Sequence, residues 1–359
     1  MRVLILSPTT LPTVTGNAVT VERWRQALSN RGVAVRVLAT EGLSDAQLVQ
    51  EVRDIRPDVI HAHHIFKAGG ILLSPRVESE LNGLPIVVSP AGTDISVDLK
   101  EPDRREVISK VLGLASAVIV QRHETVQTLK EANPHLDGRV TYVPKSFFWL
   151  GNDVFDLRGA AGCQPGSVLF FLPAGVRPVK GNLECLTALG KVYVARPSIR
   201  AVFAGPSLDR AYAAQFGREI ARLRAFACWI PLIPTRAMRS VYDAADIILI
   251  SSFSEGLSNA LLEGMAAGKP ILASDIPGNQ KHILGENGEG PCGFLYDLNG
   301  PEDFVRKAIA LVDDERLRRS LGDLGQKKST QGPSPEDEAV QLALVYERAR
   351  DSSRGAIRK

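Results

Sequence analysis

Short apolar runs, each the length of a single strand, recur along this 359-residue chain, and nearly every one is followed by a helical pattern. They are read at 2–7, 33–39, 57–61, 85–89, 117–121 and 139–143, and again from Ser167 onward, with Val168-Leu169-Phe170-Phe171 and Ile247-Ile248-Leu249-Ile250 as later strands. Strand-then-helix repetition is solved by parallel sheets with helical crossovers, the doubly wound α/β class. The length exceeds one ordinary core, and 44% apolar with 23% charged residues is a globular balance, so two domains are expected. Periodicity lapses over 151–167, GNDVFDLRGAAGCQPGS, which predicts a hinge there and domains of 1–160 and 161–334. Ser334-Pro335-Glu336-Asp337-Glu338 reads as a cap, a first-turn proline and acids at a positive helix end, opening a helix to about Arg350.

The richest segment is SSFSEGLSNALLEGMAAGKPILASDIPGN, 251–279. A turn over Ser251 to Glu255 leads into a predicted helix from Gly256 to Ala267. Leu257, Leu261 and Met265 form its apolar stripe, which turns Glu263 away from the core. Gly256 and Glu263 are separated by roughly 10 Å along the axis, the span from a diphosphate to the far side of a ribose. The N–H groups of Gly256, Leu257 and Ser258 would hold the diphosphate, Glu255 a sugar and Glu263 ribose hydroxyls. Further on come Gly268-Lys269-Pro270 and Gly278-Asn279. Earlier, the strand at 168–171 leads into Pro173-Ala174-Gly175-Val176-Arg177-Pro178-Val179-Lys180-Gly181, with glycines bracketing two cations.

Together these segments resemble the nucleotide-sugar site of the family 4 retaining glycosyltransferases. The resemblance implies a GT-B fold, two Rossmann-like domains facing each other across a cleft, with a terminal helix, 335–359, rejoining the first. It implies that Arg177 and Lys180 meet the donor diphosphate, where fixed cations stabilise the charge that grows as it leaves. The implied reaction is metal-independent transfer of a hexosyl group, with no cofactor, from a UDP-linked donor to a small-molecule, lipid-linked or saccharide acceptor. In the first turn, TVTGNAVT, Gly16 carries over as a close-approach glycine and Asn17 as a helix cap or ligand contact.

Asp58-Val59-Ile60-His61-Ala62-His63-His64 gathers three of the six histidines, and alternation sends His61 and His63 to one side. His123, His135 and His282 are scattered, and Cys163, Cys185, Cys228 and Cys292 show no CxxC pair, so no metal is expected. The resemblance makes His63 the substrate-facing hydrogen bonder and His61 its support. It places Gly92 and Asp94 of Ser89-Pro90-Ala91-Gly92-Thr93-Asp94 on the acceptor side.

Residues 1–166 hold 18 basic and 18 acidic residues, the net charge is only +3 and aromatics are 6%, which argues against nucleic acid. Without a signal peptide or long apolar run, a cytoplasmic protein with free thiols is expected. Arg23, Trp24, Arg25 and Arg31 offer weak peripheral membrane contact. Oligomeric state is not legible. The loop 285–293, GENGEGPCG, reads as an extended surface loop rather than a phosphate cradle. Two rival functions fit parts of the same sequence. A GT-B protein could bind nucleotide-sugar as an epimerase, hydrolase or non-catalytic module. Ser258 of Gly256-Leu257-Ser258-Asn259-Ala260, with Asp275 and His282, could serve a serine hydrolase, although an alanine replaces the last glycine of that pattern.

Overall fold

The computed structural model describes residues 1–285 and 290–357. Of the loop expected over 285–293, residues 286–289 lie outside the described residues. The chain forms two compact units, Met1–Phe148 with Pro333–Lys359, and Trp149–Gly332.

The first unit is a six-stranded sheet of β1 (Arg2–Ser7), β2 (Ala34–Ala39), β3 (Val59–His63), β4 (Ile86–Ser89), β5 (Ala117–Val120) and β6 (Val140–Tyr142). The order is β2-β1-β3-β4-β5-β6, and every pairing is parallel. The second unit repeats the plan with β7 (Val168–Pro173), β8 (Ile199–Ala204), β9 (Ala227–Ile230), β10 (Ile247–Ile250), β11 (Ile271–Ser274) and β12 (Gly293–Tyr296). Its order is β12-β11-β10-β7-β8-β9, again parallel throughout. Each sheet has an apolar core on both faces, as expected when crossover helices cover both sides. The α/β class and the strands read from the sequence are those observed, within a residue or two at their ends.

In each sheet the chain reverses its direction of growth once, between β1 and β3 in the first unit and between β7 and β10 in the second. Loops leaving the carboxyl ends of such a strand pair diverge and leave a crevice. That topology sets which loops can meet: those after β7 and β10 in the second unit.

The expected hinge over 151–167 is corrected. The division falls between Phe148 and Trp149, and the glycine-rich segment belongs to the second unit. Asp153 pairs with Arg236 at 3.1 Å, the Phe155 amide donates to Ser240 Oγ at 2.9 Å, and Arg158 bridges Asp246 at 2.9 Å and the Ser167 carbonyl at 2.7 Å. Composition resembles a linker here because polar anchoring replaces apolar periodicity.

The last helix runs Pro335–Ile357, longer than the reading to Arg350. Ser334 and Asp337 cap each other: the Asp337 amide donates to Ser334 Oγ at 3.0 Å and the Ser334 amide to Asp337 Oδ2 at 3.2 Å. Glu338 does more than meet the helix dipole. Buried in the first unit, its carboxylate accepts from Trp24 Nε1 (2.7 Å), Gln121 Nε2 (3.0 Å), the Ser146 amide (2.8 Å) and Ser146 Oγ (2.5 Å). These bonds and the packing of Leu342, Val345 and Tyr346 seat the helix on the first unit.

Of the residues named for membrane contact, Arg23 and Trp24 are buried, with Arg23 Nε donating to the Phe148 carbonyl at 3.0 Å, whereas Arg25 pairs with Glu22 and stays partly exposed and Arg31 is exposed. No helix of the described residues is long and apolar enough to cross a membrane.

Glu338→Ala strands four donors in a dry interior, so it should cost about 2–4 kcal/mol of stability. Urea unfolding should show that loss together with faster amide exchange along the terminal helix; an unchanged midpoint would contradict the anchoring role.

Candidate functional site

In the second unit, the loop after β7 and the loop after β10 are fastened together. Ser251 Oγ donates to the Lys180 carbonyl at 2.7 Å and the Phe253 amide to the Val179 carbonyl at 2.9 Å. Gly181, at φ 61°, lies so near the Ser251 carbonyl that a Cβ would collide with it. A glycine is required here twice over, for conformation and for space. On the other side, a Cβ on Gly278 would stand 2.5 Å from the Glu255 carbonyl and 2.7 Å from that of Gly256, so the Gly278-Asn279 pair backs the same loop.

This fastening brings Lys180 onto Glu255 as an ion pair, with side chains 18% and 13% exposed. Ser252 Oγ donates to the same carboxylate oxygen at 2.6 Å. Burial by itself would push the Glu255 carboxyl up. The Lys180 charge and hydrogen bond, the Ser252 hydroxyl and the Arg177 charge outweigh it and hold the group below the usual carboxylate range. Arg177 and Lys180 therefore form one electrostatic group with Glu255, far from them in sequence. Beside them, Asn182 begins the helix Asn182–Ala195; its Oδ1 accepts from the Arg177 amide at 3.4 Å, while its buried Nδ2 has no hydrogen-bond partner.

The helix after β10 differs from expectation. It spans Asn259–Ala266 with Ser258 as N-cap, so Gly256 and Leu257 lie in the preceding loop and Leu257 is not part of a helical stripe. Glu263, expected to turn away from the core, is only 7% exposed, so that side of the helix is covered as well. The sheet packs one side of this helix through Gly264 against Ile248 and Ile271, and the helix Glu315–Gln331 reaches Met265 through Gly325. A helix held from more than one side buries more than the single stripe periodicity reveals.

In the first unit, the β3–β4 register sets His63 opposite Ser89. Ser89 Oγ meets His63 Nδ1 at 2.9 Å and His61 Nε2 at 2.8 Å, and Tyr346 Oη meets His61 Nδ1 at 2.8 Å. Trp24 stacks on His61 with 5.2 Å between centroids and meets His63 edge-on at 4.9 Å. Burial pushes His61 down to about 3. Burial, then the neighbouring charges of His61, His64 and Lys145, push His63 well below its ordinary value. His63 is accordingly a neutral hydrogen-bonding group. The two imidazoles do share a side.

Two other readings in this unit are corrected. Asp94 is not presented to an acceptor. Fully buried, it accepts from the Ile65 amide at 2.8 Å, from Ala91 at 3.0 Å and from Gly92 at 2.9 Å, clamping the loop after β4 to that after β3. Gly92, at φ 111°, permits that turn. Asn17 does not cap its helix: Thr15 does, accepting from the Ala18 amide at 3.2 Å, while Gly16 opens the helix exposed and Asn17 is half-buried in its first turn. Among the described residues no group of three or more His, Cys, Asp or Glu is placed to hold a metal.

Sequence reasoning missed Ser252, Asn182 and Thr15. Hydroxyls at the carboxyl end of a parallel strand were the available signal for Ser252.

Two Rossmann-like units of this topology, the second with cations and a carboxylate at its switch point, define an α/β fold of the GT-B kind. Residues 159–328, within the second unit, match the family model described as Glycosyl transferases group 1. The chain is 25% identical over 327 residues to Glycosyltransferase 1 domain-containing protein 1 of Xenopus tropicalis, covering 89% of this chain and 90% of that one. It is 26% identical over 288 residues to D-inositol 3-phosphate glycosyltransferase of Paenarthrobacter aurescens, covering 75% and 67%. Among solved structures, sucrose-phosphate synthase from Thermosynechococcus elongatus superposes with a TM-score of 0.77 at 15% identity, covering 98% and 99% of the two chains. Anabaena HepE in complex with UDP-glucose gives 0.76 at 17%, covering 97% and 99%. The structural likenesses establish the GT-B fold, and the family match over part of the chain, with the curated relatives, supports a glycosyltransferase.

Because Glu255 is held below its usual value of 4.5, its ionised form stabilises the fold above that pH, and the contribution is lost as pH falls through the lower folded value. Urea midpoints of the parent and Glu255→Gln should differ at pH 7 and converge in acid; a constant gap would remove the Lys180–Glu255 pair from the account. Gly181→Ala should destabilise by about 1–3 kcal/mol through strain and the Ser251 clash.

Proposed function

We propose that the protein is a retaining hexosyltransferase that needs no metal, takes its sugar from a UDP-linked donor and delivers it to a small-molecule, lipid-linked or saccharide acceptor carried mainly by the first unit. The observation that supports this most is the gathering of Arg177, Lys180 and Glu255 at the carboxyl ends of β7 and β10. HepE, of like fold, is described in complex with UDP-glucose, which favours a UDP-sugar here.

In the reaction, the bond from the anomeric carbon to the diphosphate oxygen breaks with its electron pair going to the diphosphate. The acceptor's nucleophilic atom bonds to that carbon from the same face, and its proton passes to the departing phosphate oxygen. Lys180 and Arg177 supply the positive charge that this oxygen needs as it becomes anionic. Glu255 orients the sugar hydroxyls, and the amides of Gly256, Leu257 and Ser258 receive the diphosphate from the loop leading into the helix at Asn259. Glu263 accepts from ribose hydroxyls. In the first unit, Gly16, Asn17 and neutral His63 are the groups offered to substrate.

Thermal-shift screening with UDP-, GDP- and ADP-glucose should give a selective rise with the UDP-sugar, since a ligand that binds only the native state stabilises it by mass action. No shift with any of them would sink the donor assignment. Lys180→Ala should slow transfer by about 10² to 10³ with a smaller change in donor affinity. Product analysis decides the class: a conjugate supports transfer, whereas release of free sugar or of an isomer alone would make the protein a hydrolase or epimerase.

A further inference from the structure

Behind Glu255 lies a run of buried polar groups that none of the roles above employs. Asn279 is fully buried in the first turn of the helix Pro277–Leu284, and its Nδ2 donates to the Ser274 carbonyl at 2.9 Å and to Ser274 Oγ at 3.3 Å. Ser274 Oγ, at the end of β11, donates to the Ser252 carbonyl at 2.6 Å. Ser252 Oγ donates in turn to Glu255 at 2.6 Å. Ser252 and Ser274 are buried too, so water does not offer them substitute partners.

The direction of the chain follows from proton counting. The partner of Ser274 Oγ is a carbonyl and that of Ser252 Oγ is a carboxylate held ionised, both acceptors only, so each hydroxyl spends its single proton towards Glu255. Ser274 Oγ is left with lone pairs, which suits the Asn279 amide. The middle link runs through the Ser252 backbone, so what travels is position and not a proton. Asn279 Oδ1 is buried without a hydrogen-bond partner. An unsatisfied buried acceptor costs free energy, and holding the asparagine in this orientation despite that cost is what keeps its amide on Ser274.

We propose that Asn279, Ser274 and Ser252 are positioning residues that set the Glu255 carboxylate for the donor sugar. Lys180 pairs with the same carboxylate oxygen. Without the serine hydroxyl, the carboxylate follows the longer and more mobile lysine, and its aim at the sugar is lost. The assignment rests on the reading of Glu255 as the sugar-orienting group.

It is tested by calorimetric titration of the full chain with UDP-glucose and, separately, with UDP. Ser252→Ala should weaken UDP-glucose about tenfold, the scale of one hydrogen bond to a charged group, and leave UDP within about twofold. Ser274→Ala should show the same selective loss with smaller size. The preference for UDP-glucose over UDP should also fail at higher pH in Ser252→Ala than in the parent. One donor fewer lets the carboxyl titrate nearer its ordinary value, with Lys180 and Arg177 the charges still facing it. Equal loss for both ligands, or an unchanged preference and acid limb in both serine variants, would overturn the proposal. Glu255→Gln is measured alongside. If it abolishes the preference while the serine variants keep it, the relay alone is wrong; if it too keeps the preference, or if the parent binds neither ligand, the reading of Glu255 falls and the relay with it.

Discussion

The close approach of Gly181 to the Ser251 carbonyl is the constraint on which the second unit's chemistry depends. Only a residue without a side chain allows the loop after β7 to lie against the loop after β10, and only that contact lets Lys180 reach Glu255. The sheet topology makes the meeting available by placing β7 and β10 side by side at the switch point; glycine makes it tight. Gly278 repeats the device from behind, pressing the next turn onto the backbone of Glu255 and Gly256.

Within this group the Lys180–Glu255 pair is neutral before any ligand arrives. The Lys180 ammonium and the Glu255 carboxylate neutralise one another in a partly dry environment, where an unpaired ion of either sign would be costly. In the proposed function an incoming diphosphate competes with Glu255 for the lysine, and sugar hydroxyls compensate the carboxylate for what it gives up. The first unit handles its buried charge differently. Among the described residues the donors to Glu338 are indole, amide and hydroxyl groups rather than cations, and the terminal helix is seated in the process.

Much of the fold was legible because it depends on local pattern. Strands such as Val59–His63 and Ile247–Ile250 announce themselves as apolar runs between turns, and the strand-helix alternation leaves parallel sheets as the natural outcome. The residue types at the site were legible as well, since a strand end followed by glycine and charge marks a ligand-binding loop. Misreadings arose where a second packing partner intervened. Glu263 was placed outward because one helical stripe explains one interface, whereas its helix is packed from more than one side. Asp94 looked available because its turn is polar, yet three loop amides consume its carboxylate. The segment 151–167 looked like a linker because arginine and aspartate contacts leave no periodicity to detect.

By itself, then, the amino-acid order determined the α/β class, the strands and the loops that carry cations and carboxylates, since these follow from side-chain periodicity and turn chemistry within short windows. Tertiary structure alone decided that Lys180 pairs with Glu255, that Ser252, Ser274 and Asn279 stand behind it, and that Glu338 anchors a helix to strands far away in sequence. Those outcomes depend on the order in which strands enter a sheet and on which backbones can touch. Distances between residues remote along the chain are set by that packing, and no local propensity encodes them.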